Sequence, residues 1–490
     1  MKTKLRSLSE IRNHFANNEV PYYFVSASNF NMLGMHEWVR GWTSVTLLES
    51  FDKKHPHVLA IPERGGRVFE SIQEIDLHLL KSEEFRKLLG ERGGRAIFLF
   101  FDEKVEALCE ELGLEIDLPP YSLVREMDSK IVTTEIGNLA GVSSAPNVLA
   151  KVGSFEELEK LAQEAGLGDQ WVVQTPYGDS GKTTFFISCR DDYEKVAAEI
   201  EEEEKVKVMR RISCTGTAIE ACATKWGTFA GPLMTELIGV PDLTPYPGGW
   251  CGNELYESAF SFDIRRKVME MTRSMGDALY AKGYRGYFEL DFLIDRDDGE
   301  VYLGELNSRV TGISAMTNLS DFCTENIPLF LFHLLEYDPE VELEIDVEAF
   351  NRKVLTAGAS GVSSQAILKY TEKSLKIATV TPESGVYFMD GDGKLTLKKT
   401  GWNRREALGE NEAYILRIMD PGEYVYEGAD LAILFVNQVI GKKGGGLNRE
   451  GEKWVSALKN LFIYRNLGQE ERSAVEYANN PAGMKSGGRR

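Results

Sequence analysis

The chain has 490 residues, of which 43% are hydrophobic and 27% charged, and its formal net charge is −20. This length exceeds what one hydrophobic core can hold, so we expect two to four packed units in a soluble protein. The acidic excess argues against a nucleic-acid or anionic-membrane partner, because both attract clustered Lys and Arg side chains. It does not exclude a phosphate ligand, since a few local donors and a bound metal ion suffice for one nucleotide.

Cysteine usage and apolar runs indicate a cytoplasmic protein. Residues 1–17 are charged and lack the apolar segment of a secretory signal. The longest apolar stretch, near Ile327–Leu335, contains His333 and is too short to span a bilayer. No Cys-x-x-Cys pair occurs, which favours reduced thiols in a cytosolic protein. The six cysteines are Cys109, Cys189, Cys214, Cys222, Cys251 and Cys323.

The first predicted unit, residues 1–120, is an α/β domain. A helix is predicted over Glu103–Leu112, ending at Gly113, and Pro119-Pro120 closes the unit. Alternation of strands and helices predicts a small parallel sheet. The segment Asn29–Gly34 follows the first strand, where open α/β sheets bind ligands. The predicted strands are Tyr22–Val25, Ser44–Leu48, Val58–Ile61 and Ala96–Phe101.

The second predicted unit, residues 121–340, begins with a helix from Lys130 to Leu139. Further along, Trp171–Ile187 has the pattern strand, glycine-containing loop, strand. Such a flap can present backbone N–H groups to phosphates, with Lys182 as an added point charge. It is not a Walker loop, because Gly181-Lys182-Thr183 leads into the strand-like Phe185–Ile187 and the first glycine of that motif is missing.

A hairpin near residue 300 predicts a metal site. Its strands are Tyr287–Ile294 and Val301–Leu306, joined by a turn that contains Asp-Asp-Gly. Glu305 and Asn307 are two positions apart and therefore point to the same face, where Asp291 of the paired strand can face them. Burying carboxylates in an apolar hairpin costs several kcal/mol unless a cation compensates. Hard oxygen ligands without nearby His or Cys favour Mg²⁺, with Mn²⁺ as a possible substitute.

The third predicted unit, residues 341–466, is β-rich, and residues 467–490 are polar and predicted to form a disordered tail. Its predicted strands, separated by turn dipeptides, are Ser384–Phe388, Leu395–Lys398, Ala413–Ile418 and Ala432–Val436.

Taken together, these features resemble the ATP-grasp superfamily, and specifically its biotin-carboxylase-like carboxylate ligases. The ordered match covers roughly residues 121–335, and Asp291 with Glu305-x-Asn307-x-Arg309 is its most specific part. The resemblance implies a pre-ATP-grasp α/β domain, a central α+β ATP-grasp domain and a β-rich C-terminal domain. The implied nucleotide contacts are Lys130 at the phosphates, Gly178, Ser180 and Gly181 in the covering loop, Met209, Arg210, Arg211 and Ile212 at the adenine-binding hinge, and Glu220 near the nucleotide.

The resemblance also implies which residues bind the metal ion and which residue faces the transferred group. Asp291, Glu305 and Asn307 correspond to Mg²⁺ ligands, and Arg309 to an arginine that faces the transferred phosphoryl or acyl group. Catalytic roles are thus expected for Arg309 and Asn307, together with Lys182 of the flap.

Two positions depart from the family pattern. Gln174 stands where a second phosphate-binding lysine is expected, so nucleotide affinity would depend on Lys182 or Arg210 instead. Met209 stands where the hinge usually begins with an acid. Backbone contacts to adenine tolerate that second change.

The predicted reaction is ATP-dependent ligation of a carboxylate to an amine through an acyl phosphate. Two alternatives remain open, a bicarbonate-activating biotin-carboxylase-type enzyme and a non-catalytic nucleotide-binding protein. The carboxylase is disfavoured because Val310–Ser314, which follows Arg309, contains no acid or base to handle the bicarbonate proton. The chain also has no biotinyl-lysine motif. The expected partners are small-molecule carboxylate and amine substrates, whose identity the sequence does not give, and a homodimer is compatible with it.

Overall fold

The structure is a computed structural model that describes residues 2–63, 69–178, 183–319, 323, 326–357, 361–407 and 409–468. Within these residues the chain is α/β, and its sheets follow one another along the sequence. The predicted boundaries at residues 120 and 340 stay predictions. The last residues of the predicted tail, from 469 onward, lie outside the described residues.

The N-terminal segment contains a five-stranded parallel sheet in which the β-branched and aromatic strand residues are buried between helices. The helix Glu103–Leu112 is confirmed; Asp102 caps its first turn, and Gly113 ends it with a φ of 68°. The strands in sheet order are Val58–Ala60, Trp42–Thr46, Tyr22–Ser26, Gly94–Phe98 and Leu114–Ile116. The remaining helices of this segment are Leu8–Ala16, Ile72–Lys81 and Glu83–Leu89, with 3-10 turns at Phe30–Met32 and Met35–Glu37.

The next segment forms a four-stranded antiparallel sheet. The predicted helix Lys130–Leu139 is confirmed, and the side chain of Ser129 caps its first turn. The strands in sheet order are Asn147–Ala150, Val206–Arg210, Trp171–Gln174 and Thr184–Ile187. The accompanying helices are Tyr121–Met127, Phe155–Glu164, Arg190–Glu194 and Ala197–Glu201.

An eleven-stranded antiparallel sheet continues from the central segment into the C-terminal one. The two segments join where Trp250–Leu255 pairs with Ser363–Lys369. Strands from both sides of the predicted boundary at residue 340 therefore pair in one continuous sheet. Ten strands follow the order Val301–Asn307, Gly286–Asp295, Cys214–Thr224, Met234–Ile238, Trp250–Leu255, Ser363–Lys369, Asp430–Val436, Glu412–Arg417, Gly385–Met389 and Leu395–Thr400, and Gly227–Ala230 pairs with Cys214–Thr224.

Two small sheets complete the fold. The strand Thr3–Leu5 pairs in parallel with Val341–Leu343, so the beginning of the chain lies against the start of the C-terminal segment. A three-stranded sheet contains Tyr424–Val425, Lys376–Val380 and Ile463–Asn466. The other helices are Phe262–Ala281, Ser314–Leu319, Phe330–Tyr337, Val347–Ala357 and Arg449–Lys459, with 3-10 turns at Glu257–Ala259 and Arg404–Glu406.

The apolar stretch near residue 330 forms the buried helix Phe330–Tyr337. Within it, His333 joins two parts of the structure, because Tyr287 N–H donates to Nδ1 (2.9 Å) and Nε2 lies 2.7 Å from the Asp117 carbonyl. Burial lowers the pKa of His333 to about 4, so the ring is neutral and donates from Nε2. No helix among the described residues is both long and apolar enough to cross a membrane.

The junction at Gly252 provides a test of the continuous sheet. Gly252 has a φ of 148°, and a Cβ atom there would lie 2.1 Å from the Gln365 carbonyl oxygen. We expect Gly252→Ala to lower the unfolding midpoint by several degrees in scanning calorimetry, because strand pairing must open to admit the methyl group. The control is Gly391→Ala, whose Cβ would meet no atom within 4 Å. Equal midpoints for the two variants would contradict the pairing.

Candidate functional site

A cavity of about 650 Å³ opens where the four-stranded sheet faces the eleven-stranded sheet. Met209 lines it from the four-stranded sheet, and Glu305 lines it from the eleven-stranded one. Asn31 reaches it from the N-terminal segment, and Ile433 from the C-terminal segment. All parts of the chain that were predicted as separate units therefore contribute to one cavity.

We call the paired strands Gly286–Asp295 and Val301–Asn307 the acidic hairpin. Asp291 lies directly opposite Glu305, and Glu289 lies directly opposite Asn307. Opposite residues share a face of an antiparallel pair, as do residues two apart on one strand. Three carboxylates and one amide therefore point together into the cavity.

Negative charge is concentrated on this face. Burial raises the pKa of Asp291 well above its usual range, and the charges of Glu289 and Glu305 raise it further. Burial also raises the pKa of Glu236, which lines the same cavity from Met234–Ile238, and the nearby Asp291 and Glu305 add to the effect. A cation held between these carboxylates would remove their repulsion.

The predicted Mg²⁺ ligands fit a partly filled coordination shell. Among the described residues, no group of three or more His, Cys, Asp and Glu side chains is arranged as a metal site. Asp291 and Glu305 supply two carboxylates, and the Asn307 side chain lies beside them, with its Nδ2 donating to Asp291 Oδ2 at 3.4 Å and its Oδ1 accepting from Arg309. Mg²⁺ commonly takes one or two carboxylates and fills its other positions with water and phosphate oxygens.

Arg309 is held in place at the end of the acidic hairpin. Its guanidinium donates to Asn307 Oδ1 (2.7 Å) and to Asp128 Oδ1 (3.4 Å). The guanidinium also lies over the ring of Phe100, 4.6 Å from the centroid. A cation that is fixed on several sides and lines the cavity can stabilise developing negative charge without first reorganising.

Lys130 links the acidic hairpin to the flap. Its side chain is only 5% exposed, its Nζ lies 2.9 Å from Glu305 Oε1, and it donates to the Gly178 carbonyl at 2.8 Å. The structure thus brings Lys130, Gly178 and Glu305 together. The predicted loop residues Ser180, Gly181 and Lys182 lie outside the described residues, so their roles stay predictions.

The predicted hinge borders an apolar part of the cavity lining, which we call the apolar slot. Arg210 and Arg211 also line the cavity, and the Arg211 guanidinium lies 5.3 Å from the centre of the Phe186 ring. An apolar lining of this kind suits a flat heterocyclic base. The slot is formed by Ala145, Val172 and Met209, with Ile212 and Tyr302 packed against them.

Glu220 lies directly opposite Glu289 on the neighbouring strand, and therefore on the same face of the sheet, but it does not line the cavity. It is fully buried and accepts hydrogen bonds from the Tyr287 hydroxyl (2.5 Å) and from the hydroxyls of Ser314 and Thr311. Burial raises the pKa of Glu220 to about 7, although these hydroxyl donors and Thr317 lower it. In this position Glu220 supports the loop that follows Arg309.

That loop, residues 310–313, is held from both sides. Asn31 Nδ2 donates to the Thr311 carbonyl (2.7 Å), and Gln365 Nε2 donates to the Gly312 carbonyl (2.8 Å). A Cβ atom on Gly312 would lie 2.1 Å from the Trp250 ring, so only glycine fits beneath that ring. The predicted ligand segment Asn29–Gly34 thus reaches the cavity through Phe30 and Asn31.

Two carboxylates of the site were missed from the sequence. Glu289 precedes Asp291 by two positions, and strand alternation could have placed it on the same face. Glu236 carries no local signal, because its position depends on the pairing of Met234–Ile238 with distant strands.

This arrangement is the fold seen in solved biotin-carboxylase-like structures, so the resemblance seen in the sequence is confirmed at the level of fold. No protein-family model matches the chain. A search of curated proteins also finds no match.

Solved structures show the same fold. Biotin carboxylase from Campylobacter jejuni, in a complex with β,γ-ATP, is 14% identical with a TM-score of 0.60, over 94% of this chain and 96% of that one. Phosphoribosylamine–glycine ligase from Thermotoga maritima is 14% identical with a TM-score of 0.54, over 91% and 98%. N5-carboxyaminoimidazole synthase from Aspergillus clavatus, with ADP and 5-aminoimidazole ribonucleotide, is 13% identical with a TM-score of 0.53, over 86% and 94%.

The buried position of Glu220 predicts a pH-dependent stability. Its pKa rises from about 4.5 to about 7 in the folded protein, so the folded protein keeps a proton that the unfolded chain releases. The contribution of Glu220 to stability is therefore fully present below pH 4.5 and is lost as the pH rises to about 7. We expect the unfolding midpoint of Glu220→Gln to rise relative to wild type across this window and then level off.

The matched control is Glu300→Gln, which removes an exposed carboxylate from the turn of the acidic hairpin. Its midpoint should follow that of wild type across the same window. A constant difference between wild type and Glu220→Gln from pH 4.5 to 7 would show that Glu220 is not protonated in the folded protein.

Proposed function

We propose that the chain is a Mg-ATP-dependent ligase that activates a carboxylate as an acyl phosphate and transfers the acyl group to an amine. The observation that carries this proposal is the cavity, which joins a charged end to an apolar slot. The charged end contains Asp291, Glu305, Asn307 and Arg309 on one face, with Lys130 against Glu305. Two of the solved structures of the same fold, the biotin carboxylase and the N5-carboxyaminoimidazole synthase, hold ATP or ADP, which supports a nucleotide in this cavity.

In the proposed complex, the adenine lies in the apolar slot beside Met209 and the triphosphate extends towards the acidic hairpin. Asp291, Glu305 and Asn307 would hold Mg²⁺, or Mn²⁺ in its place. The metal would neutralise phosphate charge and orient the γ-phosphoryl group. Lys130 is already placed between Glu305 and the flap carbonyl of Gly178, where it can contact the phosphates.

The proposed reaction has two steps. A substrate carboxylate oxygen attacks the γ-phosphorus, the bond to the bridging oxygen breaks, and ADP leaves with an acyl phosphate formed. An amine nitrogen then attacks the acyl carbon, and inorganic phosphate leaves as the amine loses a proton. Arg309 faces the group that carries charge in both steps, and its contacts with Asn307 and Asp128 fix its orientation.

The loop after Arg309 supports acyl transfer rather than bicarbonate activation. Val310–Ser314 contains no acid or base, and its carbonyl groups are held by Asn31 and Gln365. The fixed loop lines the cavity through residues 310–313 and offers the substrate no titratable group. Bicarbonate activation remains the alternative, because biotin carboxylase shares the fold.

The proposed metal site predicts a selective loss of nucleotide binding. We expect Glu305→Gln to weaken binding of ATP in the presence of Mg²⁺ by roughly tenfold or more, because one carboxylate ligand is lost. Isothermal titration calorimetry would measure the dissociation constant with Mg²⁺ and again with excess EDTA, where the two proteins should differ much less. Glu300→Gln, at the exposed turn of the same hairpin, should match wild type. Unchanged Mg-ATP binding by Glu305→Gln would reject this metal assignment.

The proposed reaction predicts a trappable acyl phosphate. The purified chain would be incubated with ATP, Mg²⁺ and hydroxylamine, together with pools of amino acids and other carboxylates. We expect release of ADP with formation of an acyl hydroxamate, and loss of both in Arg309→Met. Release of ADP that depends only on bicarbonate would favour the carboxylase alternative. Nucleotide binding without turnover in any pool would instead support a non-catalytic nucleotide-binding protein.

A further inference from the structure

Lys207 is a buried lysine that none of the predicted roles uses. It lies on the strand Val206–Arg210, directly opposite Gln174, while Met209 lies opposite Val172. Directly opposite residues and residues two apart point to one face, so these four side chains share a face. Val172, Gln174 and Met209 line the cavity. Lys207 therefore belongs to the cavity face of the four-stranded sheet, beneath its surface.

The surroundings of Lys207 are those of the phosphate end. Its side chain is only 1% exposed, and its Nζ donates to Ser144 Oγ at 3.0 Å. The charged groups that act on it are Glu305 and Lys130, the two partners of the ion pair at the acidic hairpin. Burying an ammonium group costs several kcal/mol, so a negative partner at this position is required to retain it.

Gln174 provides a second observation at the same place. Its Nε2 donates to Thr184 Oγ1 at 3.2 Å, whereas its buried Oε1 accepts no hydrogen bond from any described residue. A lysine at position 174 would bring its charge to this point directly. Here a neutral amide lines the cavity, and the residue directly opposite it on the next strand is Lys207.

We propose that Lys207 supplies the phosphate-binding charge that position 174 lacks, acting with Lys130 on the triphosphate of the nucleotide. This inference rests on the proposed function, since it requires that the cavity binds ATP. In the proposed complex, the cation for the phosphates therefore comes from the strand Val206–Arg210 instead of from the paired strand Trp171–Gln174. Affinity for the phosphates then depends on Lys207 rather than on Arg210, which borders the slot at the other end of the strand.

The test separates charge from structure. Lys207→Met keeps most of the side-chain volume and removes the charge, and we expect it to bind Mg-ATP and Mg-ADP roughly tenfold more weakly or worse. Binding of adenosine, which has no phosphate, should not change by more than about twofold. A purely structural role would weaken adenosine and ATP alike. The matched control is Lys205→Met, which removes an exposed lysine paired with Glu135 just before the same strand and should leave both affinities unchanged.

A second variant relocates the charge. Gln174→Lys combined with Lys207→Met places the lysine on the opposite position of the same face, and we expect it to recover ATP affinity to within about threefold of wild type. This double variant keeps one buried ammonium group, so it also tests the proposal if the single variant does not fold. Failure of a folded double variant to bind ATP would count against the proposal.

The outcomes also separate this inference from the proposed function. Wild type that binds ATP while Lys207→Met binds it equally well would overturn the role of Lys207 and leave the proposed function standing. Wild type that binds no ATP would overturn both. Restored binding in the double variant together with normal adenosine binding in the single variant would establish Lys207 as the source of the charge.

Discussion

The organisation of the cavity depends on carboxylates that share one face of the acidic hairpin and on the buried ammonium groups opposite them. Burial and the neighbouring carboxylates raise the pKa of Glu289 and of Asp291 well above their usual range, because like charges repel strongly where water is excluded. Lys130 lies against Glu305 from the neighbouring helix. This contact joins the eleven-stranded sheet to the segment that carries the flap, and it leaves a negative face available to a divalent cation.

The acidic hairpin can carry this charge because buried hydrogen bonds next to the carboxylates hold its strands in place. Tyr287 shows the arrangement well: its N–H donates to His333 and its hydroxyl donates to Glu220. Glu220 in turn accepts from Ser314, so one network runs from the strand to the loop that follows Arg309. A charged group that binds a reacting phosphate needs such support, because a displacement of about 1 Å can lower the reaction rate a hundredfold.

The sequence predicted those elements whose determinants lie within a few neighbouring residues. The helix Glu103–Leu112 has its cap and its terminal glycine within the sequence that forms it, and the pairing of Asp291 with Glu305 follows from one short turn. Glu236 and Lys207 could not be placed in this way. Each reaches the cavity through pairing between strands distant in sequence, and strand register over such distances has no local marker.

The continuous sheet explains why the C-terminal segment belongs to the site. Ser363–Lys369 and Asp430–Val436 extend the sheet that carries the acidic hairpin, and they bring Ile367 and Ile433 to the cavity wall. Gln365 of the same strand holds the Gly312 carbonyl beside Arg309. The proposed nucleotide contacts all come from the central segment, whereas both flanking segments contribute residues to the cavity wall. Under the proposed function, we expect substitutions in the flanking segments to change which acid is accepted while the phosphate contacts stay in place, because those contacts come from other segments of the chain.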